Sequence, residues 1–163
     1  MTLLRRLRHR LYLRVTDRGP DDGTAIIEFV FVALVVMIPL VYLLVAVSVV
    51  QCSQLAVSQA ARDAGRAYAT SPSAGSAMPR VAVAVRIAMT SQGLPDDADV
   101  RFVADGSPCT AASVLPRLAP GEQFTVCVTR RVNMPAVPSV VAGRGITTVG
   151  RYLVHVDDYR TVS

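Results

Sequence analysis

Gly23-Thr24-Ala25-Ile26-Ile27-Glu28-Phe29 opens directly into an apolar run that lasts to Val50, and within Ala25 to Val50 the one charged side chain is Glu28. At about 1.5 Å of rise per residue, a helix over this run exceeds the roughly 30 Å hydrocarbon core of a bilayer. A secretory signal peptide has an apolar region of only about 7 to 15 residues before a small-residue cleavage site, so the run is too long for that pattern. The stretch predicts a membrane-spanning helix with a carboxylate just inside it. An ionised carboxylate near the bilayer centre costs roughly 2.5 to 3.5 kcal/mol on insertion scales, and less towards an interface. Glu28 is therefore either an interfacial residue whose carboxylate reaches water or a charge that awaits a positive partner.

Working outward, the 163-residue chain leaves room beyond the span for one modest soluble domain. Its hydrophobic fraction of 52% is concentrated in one block, which reads as a single-span membrane protein. The net charge is +5, and every basic residue apart from the histidines is Arg. Binding to nucleic acid needs a clustered basic surface, preferably with aromatic residues among the charges. The dense cluster here, Arg5, Arg6, Arg8, Arg10, Arg14 and Arg18, lies just ahead of the span instead. Positive residues accumulate on the cytoplasmic flank of membrane helices, whereas Arg62 and Arg66 beyond the span are fewer and accompany Asp63. The expected topology has the N-terminus in the cytoplasm and the C-terminal region outside, with no nucleic-acid partner.

The predicted organisation is a basic leader over 1–23, a transmembrane helix over 24–50, its extracytoplasmic continuation over 51–70 and a small outer domain over 71–163. Leu3, Leu4, Leu7 and Leu11 recur at helical spacing in the leader, so it forms either a short amphipathic helix on the membrane face or an unstructured arm. Pro39 interrupts the span and predicts a kink. No Gly or Pro separates Val41 from Arg62, so the helix is expected to continue to the break at Thr70-Ser71-Pro72. On that continuation Ala56, Ala60 and Ala64 form a smooth strip of the kind that lets another helix approach closely.

Pro79 fits the first turn of a second helix, with Val81, Val85, Ile87, Ala88 and Met89 as its apolar face, although Val81 to Val85 also alternates as a strand does. Gly93-Leu94-Pro95 ends it. Three β segments follow, Val100 to Ala104, Phe124 to Val132 and Ile146 to Val156, with a weakly structured loop marked by Pro135, Pro138, Gly143 and Gly145 before the last. The fold class is α+β: a long N-terminal helix, a second short helix, and a small antiparallel sheet packed on that second helix. Of three cysteines, Cys109 and Cys127 would close a loop of about eighteen residues outside the membrane, stabilising the domain by roughly 3 kcal/mol in the chain-entropy estimate. Cys52, where the helix leaves the bilayer, reads as a small apolar filler.

Little in the chain suggests catalysis. His155 stands near Asp157 and Asp158, but no Cys or second His falls at ligand spacing, and His9 lies in the leader. No phosphate-binding glycine loop or nucleophile elbow occurs. No cofactor, metal or catalytic residue is expected.

Gly23, the following Thr24-Ala25-Ile26-Ile27-Glu28-Phe29 and the apolar helix resemble the class III signal of type IV pilin-like proteins. With Gln51, Gln54 and Ala60-Ala61-Arg62-Asp63-Ala64-Gly65-Arg66 after the span, the segment from about Asp22 to Ala67 resembles a TadE-like pseudopilin of tight-adherence (Flp) pili. The resemblance implies a minor pilin or pseudopilin, cut by a prepilin peptidase between Gly23 and Thr24. Glu28 and Phe29 would serve assembly, with Glu28 meeting the new amine of an adjacent subunit. Implied partners are the membrane, other pilin or pseudopilin subunits, the peptidase and the inner-membrane assembly platform, in a pilus or a related secretion system. The alternative is an unprocessed single-span signal-anchor protein whose outer domain binds a cell-envelope partner. A third is a soluble outer protein released by a conventional cut near Ser48 or Ser58.

Overall fold

A computed structural model describes residues 24–133 and 145–160. The leader with Gly23, and the loop with Pro135, Pro138 and Gly143, lie outside the described residues. Five elements follow in order: α1 (Thr24–Ala69), α2 (Ala74–Ser91), β1 (Asp99–Ala104), β2 (Gln123–Val132) and β3 (Ile146–His155). The fold is α+β, and the chain divides into two compact units, Met1–Leu43 and Leu44–Ser163.

In the first unit the described chain is the apolar beginning of α1. The helix carries an 18-residue window of mean hydropathy 3.0, none of it buried, and this fits a single-pass membrane protein. Its side chains need an apolar surround, because exposed apolar area in water costs roughly 25 cal/mol per Å². The helix runs through Pro39.

The second unit is built on the rest of α1. The strip of Ala56, Ala60 and Ala64 is there, with Val57 and Ala61 beside it, and every one of these residues is fully buried. The strip shares one core with the buried face of α2, and the sheet comes close to α1 beside it. At Gly150 of β3 an added Cβ would stand 2.0 Å from the Val57 carbonyl oxygen, and at Gly65 of α1 one would stand 2.6 Å from Val154. The missing side chains at Gly150 and Gly65 let β3 come down onto the backbone of α1, and the alanine strip is buried within the unit.

The expected break after α1 occurs at Ala69. Thr70 N–H donates to Arg66 O at 3.0 Å and Ser71 N–H to Tyr68 O at 3.1 Å. The Arg160 guanidinium also donates to the carbonyls of Ala69, Ser71 and Pro72, placing a cation at the helix C-terminus where the free carbonyls attract it.

The second helix starts at Ala74 rather than at Pro79. Ser73 caps it through a reciprocal box: Ser76 N–H donates to Ser73 Oγ at 3.3 Å and Ser73 N–H donates to Ser76 Oγ at 3.2 Å. This cap outweighs the cost of a proline in the second turn, where its ring displaces only one intrahelical bond. The segment Val81 to Val85 is helical, and the buried face is Ala77, Val81, Val85, Ala88 and Met89, whereas Ile87 points outward at 60% exposure. Its end is a Schellman motif, with Leu94 N–H on Met89 O at 3.1 Å, Gly93 N–H on Thr90 O at 2.9 Å and Gly93 at φ +68°.

The sheet is an antiparallel meander in the order β1-β2-β3. Phe124, Val126 and Val128 of β2 join one core with Phe102, Tyr68, the α1 strip and the buried side of α2. Tyr68, Phe102 and Phe124 meet with ring centroids 4.7 to 5.9 Å apart. The sheet shares this core with both helices, and β3 lies directly against α1. The opposite face of β2 is covered as well: Cys127 is fully buried and bonded to Cys109, with Cα atoms 5.7 Å apart.

Candidate functional site

The N-terminal motif sits at the start of α1. Gly23 lies outside the described residues, and Thr24 is the first residue of the helix. Glu28 follows four positions later, one turn on, and is exposed. It lies past the first turn, where the unpaired N–H groups that attract an anion are found, so the helix end gives it little stabilisation. Among the described residues no hydrogen bond or salt bridge engages it. Ile26, Ile27, Phe29 and Phe31 around it are each at least 66% exposed. The arrangement is a lone carboxylate in an otherwise apolar helical surface, able to accept hydrogen bonds from, or pair with, a cation brought by another chain.

Pro39 lies inside α1 and is exposed, well along the helix from Glu28. Cys109 and Cys127 are joined in the second unit. Cys52 is free and partly buried, its Sγ 3.8 Å from Gln92 O. The structure thus brings two of the sequence-selected residues, Cys109 and Cys127, into contact and leaves Thr24, Glu28, Phe29, Pro39 and Cys52 strung along one helix.

Two groupings in the second unit escaped sequence reading. Arg130, only 9% exposed, donates from Nε to Asp97 Oδ1 at 2.5 Å and from Nη1 to Ser53 Oγ at 3.3 Å. Ser53 Oγ and Thr148 Oγ1 are 2.9 Å apart, and Thr148 Oγ1 donates to Arg130 O at 3.2 Å. This network ties α1, β2, β3 and the segment after α2 together, and it satisfies a guanidinium that would be costly to bury alone. Its signal was strand parity, since Arg130 shares the face of Phe124, Val126 and Val128. The second grouping is a groove lined by Gln59, Arg62, Asp63, Arg66, Arg151 and Tyr152.

His155 is exposed, with Nδ1 3.3 Å from Gln123 Nε2 and Nε2 3.4 Å from Asp158 Oδ2. Among the described residues no group of three or more His, Cys, Asp or Glu side chains is placed to hold a metal ion. Burial raises the pKa of Tyr68, by disfavouring the phenolate. Its hydroxyl donates to Pro116 O at 2.7 Å.

An exposed apolar helix and a disulfide-bearing α+β unit fit a single-pass membrane protein, with the Glu28 carboxylate set in the apolar helix. The model of the family described as TadE-like protein matches residues 23–66, so that segment of the chain is similar to the family. The family is one of components associated with tight-adherence pili. Neither characterised proteins nor solved structures gave a match.

Proposed function

We propose that this chain is a minor pilin or pseudopilin of a tight-adherence pilus or a related secretion system. A prepilin peptidase cuts it after Gly23 on the cytoplasmic side, and it assembles through α1. The observation that carries this reading is the position of Glu28: a carboxylate without a partner among the described residues, in an apolar helical surface, inside the segment that matches the family. A cut after Gly23 creates an amine on the first residue of α1, four positions before Glu28. In a low-dielectric surround that amine on a neighbouring subunit offsets the cost of holding Glu28 there, whereas within one helix the amine and carboxylate still face lipid together. Pairing between subunits therefore links membrane burial to assembly.

The basic leader favours an orientation with the N-terminus in the cytoplasm and the chain beyond Val50 outside, where the Cys109–Cys127 bond persists. Partners are the membrane, sibling pilin subunits, the peptidase and the assembly platform, and the protein acts as a structural component.

The partner role of Glu28 is tested by Glu28→Ala expressed with the sibling pilins. The variant should insert into the membrane as the parent does, since an uncharged span inserts more readily. Recovery of sibling subunits with it should fall about tenfold or more, as expected when one member of a desolvated charge pair is removed. Unchanged recovery would count against the role assigned to Glu28.

A further inference from the structure

The groove beside α1 and β3 carries more positive charge than the fold uses. It encloses about 460 Å³ and is walled by Gln59, Arg62, Asp63, Arg66, Arg151 and Tyr152. Among the described residues none of the three arginines takes part in a salt bridge. Arg151 donates one hydrogen bond, to Ser107 O at 3.0 Å. The single carboxylate, Asp63, is held to its own helix by Gln59 Nε2, which lies 3.1 and 2.9 Å from its two oxygens. Three guanidiniums against one engaged carboxylate, in a cleft with protein walls, focus a positive potential and suit a carboxylate ligand.

The same unit displays a feature of complementary chemistry, the turn Asp157-Asp158-Tyr159 that follows β3. It is anchored on both sides. Val156 is fully buried and bonded to the backbone of Gly121 and Glu122 at 3.2 and 2.9 Å. Arg160 donates to the carbonyls of Ala69, Ser71 and Pro72 at the end of α1. Within the turn, Tyr159 N–H donates to Asp157 Oδ1 at 2.9 Å. Between these anchors Tyr159 is 92% exposed, beside two exposed aspartates. A tyrosine on a tethered turn gives up little conformational entropy when it docks, and its ring gains the burial it lacks here.

We propose that the outer unit self-associates, the Asp157-Asp158-Tyr159 turn of one copy seating in the groove of Arg62, Arg66 and Arg151 on a second copy. The carboxylates meet the guanidiniums, and the Tyr159 ring packs beside Tyr152. The contact is heterologous, joining two different patches, so one copy can receive a turn and offer one at the same time. It goes beyond the proposed function and needs neither the cut after Gly23 nor the charge of Glu28.

The test uses the full chain in detergent micelles, with donor- and acceptor-labelled populations and energy transfer as the readout of self-association. A groove variant, Arg62→Glu with Arg66→Glu, and a turn variant, Asp158→Arg, should each weaken self-association about tenfold or more, because each sets like charges against one another. Tyr159→Ser, at a side chain too exposed to matter for folding, should weaken it without changing any charge. Mixing the groove variant with the turn variant should restore association, since each then meets an opposite charge in the other. Association undiminished in the separate variants would overturn the proposal. So would a mixture no stronger than either variant alone, the outcome if the groove takes an acidic segment of some other protein. Because Glu28 and Gly23 are untouched in every arm, this result stands apart from recovery of sibling pilins.

Discussion

Single atoms decide how the second unit closes. Gly150 is the sharpest case, because a Cβ there would lie 2.0 Å from Val57 O, a backbone atom that cannot rotate away. Gly150→Ala should destabilise the unit by about 1 to 3 kcal/mol or more, the range for overpacking a filled core. Gly75→Ala is the matched control: nothing lies within 4 Å of its added Cβ, and it sits in a helix where Ala is favoured by roughly 0.5 to 1 kcal/mol. Thermal unfolding of the full chain in detergent, followed by near-ultraviolet circular dichroism, should move in opposite directions for the two. Tyr68 makes a second residue-scale case. Burial raises its pKa, so the folded state holds the phenolic proton more tightly than the unfolded state does. The resulting stability is complete below the unfolded value of about 10 and is lost as pH rises through the folded value. Tyr68→Phe should remove that part of the alkaline loss. It should also cost about 1 kcal/mol at neutral pH, where Pro116 O loses its donor. A stability-versus-pH series on the two proteins checks both signs.

At the scale of elements, the readable features were those with a strong period or a hard stop. The span, the break at Thr70-Ser71-Pro72, the Gly93 stop and three alternating strands were all legible. The start of α2 was not, because Ser73 and Ser76 make a capping box without the acidic residue that usually marks one, and Pro79 offered a more conspicuous boundary. Small residues every fourth position on α1 were legible as a close-packed face, and Ala56, Ala60 and Ala64 are buried in one core with α2, whereas the approach of Gly150 to Val57 was not. Arg130 was overlooked because charge suggested solvent, although its place in the β2 alternation put it inside. The Cys109–Cys127 bond spans a separation of 18 residues and ties the long segment before β2 to the face of the sheet away from the helices. Cys109→Ser with Cys127→Ser should lower stability by about 3 kcal/mol in the chain-entropy estimate. Denaturant unfolding of the full chain, with and without the substitutions, measures it, and the loss should match that produced by reducing the parent.

For the whole molecule, the two units carry different kinds of information. The Leu44–Ser163 unit satisfies its core, its helix ends and its buried arginine from within, and it presents charge complementarity only at the surface. The apolar part of α1 satisfies neither its hydrophobic surface nor Glu28 from within the described chain. Glu28 was legible in the sequence because an acidic residue in an apolar run is conspicuous in one dimension. The basic groove was not, since Arg62, Arg66 and Arg151 come together only when β3 packs against α1. The central claim is that the chain is cut after Gly23, which creates the amine that Glu28 pairs with. The direct measurement is the N-terminal sequence of the protein recovered from a membrane fraction that contains its prepilin peptidase. A mature chain beginning Thr24-Ala25-Ile26 is the predicted result, and a chain beginning at Met1, or downstream near Ser48 or Ser58, would contradict it.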